Sequence, residues 1–215
     1  MFAKGRILMK LIGKQIDFEN SEVLYSAIIS PESIKKDWKV YGGDWWAEDS
    51  WLTGKNPENC PGMIVSKDDF FGNVMVDFEA RTVLPSTHDI DVMWNGSWDE
   101  TIGERGIAYV AGLEGWWVGK VGLEKSPEYL LNAATTLFDF EPGKIYHIQA
   151  GSVEGHCFIC VDGKLLLELT DPQPIDNLKH GKIGFEAYSS YIQIRNIKVK
   201  RLEWNKLVLN YCKEF

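Results

Sequence analysis

Short stretches in which apolar and polar side chains alternate with the two-residue period of a β-strand recur along the chain. Turn signals such as Gly42-Gly43, Asn95-Gly96 and Glu141-Pro142-Gly143 separate them. No segment of 12 or more residues sustains the period of a helix. The clearest predicted strands are Asn73–Arg81, Asp89–Trp94, Trp116–Val121, His156–Val161, Lys164–Thr170, Gly181–Ala187 and Tyr191–Arg201. In Asn73–Arg81, Val74, Val76, Phe78 and Ala80 share one side, and Met75, Asp77, Glu79 and Arg81 the other. Asp89–Trp94 repeats the pattern, with Ile90, Val92 and Trp94 opposed to Asp89, Asp91 and Met93. Asp162-Gly163 between two strands predicts a two-residue type I′ hairpin. The row Ile192, Ile194, Ile197, Val199 slips by one residue near Arg195-Asn196, the mark of a bulge.

About a dozen strands, each apolar on one side, have no helices to cover them and must cover each other. The expected fold is all-β: a two-sheet antiparallel β-sandwich of jelly-roll type, with one sheet face left open to a ligand. No linker rich in Pro, Gly or Ser divides the 215 residues, so one domain over 1–215 is expected, its tail 202–215 docked through Trp204, Leu207 and Leu209.

Charge and cysteine usage narrow the partners. Lysine and arginine total 23 against 31 acidic residues, a net charge of −8, which disfavours a phosphate backbone. No apolar run approaches the roughly 20 residues of a membrane-spanning helix, so neither nucleic acid nor membrane is expected as a partner. Positive charge in Met1–Lys10 is interrupted at Lys10 and Lys14 before any apolar run, so no secretory leader is expected and a cytoplasmic location is. The spacing of Cys157 and Cys160 puts them on opposite faces of one strand, as buried thiols rather than zinc ligands. No phosphate loop, Gly-x-Ser-x-Gly elbow or His-Glu-x-x-His is present.

Val161-Asp162-Gly163, Asp171-Pro172, Gly181-Lys182-Ile183-Gly184 and Ile194-Arg195-Asn196-Ile197-Lys198-Val199 follow one another in an order that resembles the concanavalin A-like lectin/glucanase superfamily. The resemblance covers about residues 34–201 and is strongest to the 3-keto-disaccharide hydrolase branch. It implies a saccharide or glycoside ligand and a hydrolase or lyase. Laminarinase-like members carry Glu-x-Asp-x-x-Glu on one strand for retaining hydrolysis. Here the strand reads His88-Asp89-Ile90-Asp91-Val92-Met93-Trp94, with no Glu at its end. Proton abstraction next to a keto group needs no such carboxylate pair and is the route expected.

Residues His88 to Tyr129 hold the densest mixture of aromatic and polar side chains, the combination that saccharide sites use. His88, Asp89 and Asp91 are the candidate bases, and Arg105 and Lys120 the candidate electrophiles. Arg81, Asn95, Trp98, Glu104, Tyr109, Trp116, Trp117 and Glu124 are the candidate binding residues. Arg81 is expected beside Asp89 and Asp91 on the open face. Trp116 and Trp117, adjacent on a predicted strand, are expected to point to opposite sides. A divalent cation on Asp89, Asp91 or Asn95 is compatible with the donor types, but no metal ligand is assigned. Three readings stay open. They are a hydrolase or lyase acting on a glycoside or keto-sugar, a lectin-like binding protein, and an assembly module whose exposed sheet pairs in an oligomer. An ordinary solvated strand face is the bland alternative for Asp89 and Asp91.

Overall fold

The computed structural model describes residues 8–207. Leu209 and Cys212, and the leader reading at residues 1–7, lie outside them. The chain opens with β1 (Met9–Leu11), β2 (Lys14–Ile16) and β3 (Val23–Ser26), then a helix α1 (Pro31–Asp37). This helix escapes a periodicity reading because it spans only seven residues. Its start is a capping box, Ser33 N–H donating to Ser30 Oγ and Ser30 N–H to Ser33 Oγ, with Pro31 in the first turn.

There follow β4 (Trp38–Val40), β5 (Asp44–Glu48), β6 (Trp51–Asn56), β7 (Gly62–Ser66), β8 (Val74–Thr82) and β9 (Ile90–Gly96). A small hairpin, β10 (Trp98–Asp99) and β11 (Glu104–Arg105), leads to β12 (Ala108–Leu113), β13 (Val121–Ser126) and β14 (Asn132–Thr135). The chain continues through β15 (Tyr146–Val153), β16 (His156–Val161), β17 (Lys164–Thr170), β18 (Lys182–Ala187), β19 (Ser190–Arg201) and β20 (Trp204–Lys206).

Two antiparallel sheets form the sandwich. One has seven strands in the order β14-β13-β12-β9-β18-β7-β4. The other has eight, in the order β17-β16-β15-β8-β19-β6-β5, with β3 pairing β19. Alternation decides what lies between them. Val74, Val76, Phe78 and Ala80 of β8 and Ile192, Ile194, Ile197 and Val199 of β19 meet Ile90, Val92 and Trp94 of β9 and Ile183 and Phe185 of β18 in one core. Phe78 and Phe185 join the two layers edge to face, their centroids 5.1 Å apart. The predicted slip in β19 is a bulge, with Asn196 at φ 55 and the register shifting between Arg195 and Lys198. The predicted hairpin joins β16 to β17 with both Asp162 (φ 49) and Gly163 (φ 76) at positive φ, as type I′ requires.

Outside the sandwich, β1, β2 and β20 form a three-stranded sheet. Leu11 and Ile16 of this sheet, with Phe18 from the turn after β2, bury Met75, Phe158 and Cys160 of the eight-stranded sheet, while Trp204 packs alongside. Cys157 belongs to the main core and Cys160 to this second one, so the two thiols do lie on opposite faces of β16. The outer face of the seven-stranded sheet is the one that holds the acidic cleft.

Candidate functional site

Because Ile90, Val92 and Trp94 point into the core, Asp91 and Met93 of β9 must point outward. Across the ladder, Asp91 lies opposite Glu186 of β18 on one side and Gly112 of β12 on the other. Facing side chains at such positions have Cβ atoms about 5 Å apart, so two carboxyls are held together on one patch of sheet. Asp89, one residue before β9, sits at φ 72, a backbone region that aspartate tolerates better than most residues. Its Oδ2 accepts a 2.6 Å hydrogen bond from Tyr188 N–H. Glu124 of β13 completes the acidic group on the same face, opposite Val110.

The cation among them is Arg105, brought over the sheet by the β10–β11 hairpin. Nη1 donates to Glu186 Oε2 at 2.6 Å and Nε to Ser126 Oγ at 3.0 Å, while Nη2 stands 3.6 Å from Glu124 Oε1. These groups floor a cleft of about 370 Å³ rimmed by His88, Trp116, Tyr129 and Tyr188. One guanidinium against four carboxyls leaves negative charge uncompensated in a buried place. Burial pushes the Asp91 carboxyl well above its ordinary range, and Asp89 and Glu186 push it further. Burial likewise raises Asp89 to about 7 against the Tyr188 hydrogen bond, with Glu186 adding to the rise. Glu124 also rises to about 7, again through burial, although Arg105 opposes it. Two buried oxygens in this floor, Asp91 Oδ1 and Glu124 Oε2, have no hydrogen-bond partner among the described residues. Leaving such an atom unpaired costs about 1–3 kcal/mol.

Glycine shapes the wall of the cleft. A Cβ on Gly112 would stand 1.9 Å from Asp91 Oδ1, and one on Gly115 2.9 Å from the same atom. A Cβ on Gly122, which pairs with Gly112, would meet Trp117 Cδ1 at 2.9 Å and Trp116 Cζ2 at 3.2 Å. The two glycines form a trench in which both indoles lie, so residues 114–120 are a loop folded back over the sheet and not the strand expected from Trp116 to Val121. Neither indole enters the core, contrary to the expected split. Trp116 borders the cleft and keeps 37% of its surface exposed. Trp117 packs beside it with Nε1 buried and unpaired, and Lys120 Nζ lies 5.2 Å from the Trp117 ring instead of at the carboxyls.

The structure therefore brings together His88, Asp89, Asp91, Arg105, Trp116 and Glu124. Five other expected residues stand elsewhere. Arg81 belongs to β8 in the opposite sheet, where it donates to Gln193 and stacks on Trp51. Alternation orders the faces of a strand but does not tell which sheet the strand joins. Asn95 is not in a turn. It is a positive-φ residue within β9, where the register to β18 shifts, and its side chain bonds Gly72 O and Ser152 Oγ in the interior. Tyr109 is a core residue whose hydroxyl donates to Asp171. Trp98 stacks on Tyr41 at 3.8 Å over the apolar patch of Met63, Val65, Met93, Ala108 and Val110, away from the cleft. Glu104 is exposed in the small hairpin, paired with Asp99.

The sequence reading did not single out Glu186, Tyr129 or Tyr188. Glu186 carries a usable signal, since it alternates with the core residues Phe185 and Ala187. Among the described residues no group of three or more His, Cys, Asp or Glu is arranged to hold a metal ion, and Asn95 has turned away from the two aspartates. His147 and His156 are separately satisfied, by Asp77 and by Thr170 with Glu168.

The chain matches no protein-family model and no curated protein. Its fold is similar to that of solved structures. A Bacillus subtilis protein with a galectin-like fold is 17% identical at a TM-score of 0.67, the match covering 84% of this chain and 96% of that one. The carbohydrate-binding module CBM66 of Bacillus subtilis is 12% identical at 0.60, over 80% and 96%. The transglycosylase Crh5 is 10% identical at 0.60, over 85% and 87%. At these identities the likeness shows the fold alone, a galectin-like β-sandwich consistent with the concanavalin A-like resemblance, which serves binding proteins and enzymes alike.

Proposed function

We propose that the cleft is a saccharide site and that its paired aspartates move a proton, making the protein a hydrolase or lyase of glycosides or keto-sugars. The observation that carries this reading is Asp91, a buried carboxyl with an unpartnered oxygen, beside Asp89, whose carboxyl is held near 7, at the foot of an exposed indole. A carboxyl that titrates near the working pH both takes and gives a proton efficiently. Two interacting carboxyls titrate in separate steps, so at neutral pH one is a base while the other still holds its proton. Trp116 offers a flat apolar surface to the C–H face of a sugar. The neighbouring carbohydrate-binding module and transglycosylase, each sharing the sandwich, support a saccharide as the ligand class.

On a 3-keto-glycoside, one carboxylate would remove the acidic proton next to the keto group. The C–H electron pair would pass to the enolate, whose collapse would restore the keto group, form a C=C bond and break the C–O bond to the leaving sugar, its oxygen taking that bond's electron pair and a proton from the second carboxyl. Arg105 supplies the positive field nearest the developing negative charge. Retaining hydrolysis along β9 finds no support, since Met93 lies in an apolar patch and Trp94 in the core.

The test is turnover of a 3-keto-glucoside and of the unoxidised glucoside by the full chain and by Asp89→Asn and Asp91→Asn. The enzyme reading expects turnover in the parent protein and a loss of at least about 100-fold in each variant, with saccharide binding retained. Binding without turnover on either substrate, unchanged by both substitutions but lost in Trp116→Ala, would replace it with the lectin-like reading.

A further inference from the structure

The acidic and basic side chains that face the cleft are Asp89 and Asp91 ahead of and within β9, Glu186 on β18, Glu124 on β13, Arg105 from the hairpin, and His88 at the rim. Tyr129 and Tyr188 complete the titratable set. Arg105 is already engaged, by Glu186 at 2.6 Å, by Ser126 and by Glu124 at 3.6 Å. Among the described residues no side chain answers Asp91 Oδ1 or Glu124 Oε2, both of which are buried. In their ionised forms both oxygens accept, so a ligand that stabilises those forms must bring donors. A hydroxyl brings one donor and no charge, whereas an ammonium brings three donors and the missing positive charge.

We propose that the saccharide this cleft takes carries a protonated amino group, as an unacetylated amino sugar does. The inference rests on the reading of the cleft as a saccharide site and adds the charge of the sugar. The ammonium sits between Asp91 and Glu124, and the sugar ring lies against Trp116. An acetylated amine has lost both the charge and two of its donors. A uronate meets four carboxyls and is repelled. Burial holds Asp89 and Glu124 near 7, so the ammonium favours their ionised forms, releases protons on binding, and binds more weakly as the pH falls below about 7.

The test is a calorimetric titration of the full chain near neutral pH with three ligands. They are a short β-linked glucosamine oligosaccharide, its fully N-acetylated counterpart, and a glucuronate oligosaccharide of the same length. The expected result is binding of the amino form at least about tenfold tighter than the acetylated form, and no measurable binding of the uronate. Glu124→Gln should lower amino-sugar affinity about tenfold and leave the acetylated ligand within about twofold. The parent protein's own preference decides the matter if that variant does not fold. Equal or tighter binding of the acetylated or acidic ligand overturns the inference and leaves the saccharide reading standing. No binding of any saccharide overturns both.

Discussion

The outer faces of the two sheets carry the same kinds of side chain and treat them in opposite ways. On the eight-stranded sheet, Asp77 accepts from His147, Gln149 and Lys200, and Glu79 from Arg195. Burial alone would raise both carboxyls, yet these partners outweigh it and hold each below its ordinary range. On the seven-stranded sheet, burial works on Asp89, Asp91 and Glu124 with too few partners to oppose it, and all three rise. One face settles its charges within the protein and the other leaves them for something else to settle. Uncompensated charge in a cleft marks a working surface better than the presence of acids does, because acids are common on both faces.

The largest effect that would sharpen this contrast is at Asp91. Asp91→Asn should reduce turnover by about 10²- to 10⁴-fold. The same change should raise the melting temperature near neutrality, since the amide removes the cost of putting a proton back, on folding, onto a carboxyl that is ionised in the unfolded chain. Lys200→Met on the other face should do the reverse. It strips Asp77 of its buried ammonium, and breaking such a pair costs about 3 kcal/mol. A urea midpoint would show that loss, with saccharide binding unchanged.

The pH dependence of stability should separate the faces in one experiment. A carboxyl raised in the folded state lowers stability as pH climbs from its unfolded value near 4 toward about 7, because the folded protein binds the extra proton. A carboxyl held low loses its stabilising effect as the pH falls below about 4. His147, raised by Asp77, adds a loss only above about 6.5. Stability should therefore peak in mild acid. Asp89→Asn should flatten the limb toward neutrality, and Lys200→Met the limb toward strong acid, as thermal denaturation across a pH series would report. The smallest expected effect is that of Trp116→Ala, about a tenfold loss of saccharide affinity with little change in stability, since the indole is partly exposed.

Strand faces were legible in the sequence wherever a two-residue period ran uninterrupted, as in Val74 to Ala80, and even through the bulge at Asn196. The acidic strand was legible for the same reason, since Ile90, Val92 and Trp94 leave Asp91 no other side. Arg81 shows the limit of that logic, because a period orders the faces of one strand and is silent about which strands become neighbours. Trp116 and Trp117 show another. Their aromatic run suits a strand, but the seat they occupy is made by Gly112 and Gly122, whose vacancy on the outer face matters only once β12 and β13 pair. Asn95-Gly96 looks like a turn and serves as an irregularity inside β9, a choice made by the interior bonds to Gly72 and Ser152.

Carboxyl ¹³C titration by nuclear magnetic resonance tests the contrast between the two faces most directly, with Asp77 and Asp89 followed in the same sample. The account predicts that Asp89 titrates near 7 and that Asp77 stays ionised well below the ordinary aspartate range. Asp89 and Asp77 titrating together near 4, the ordinary aspartate value, would contradict it.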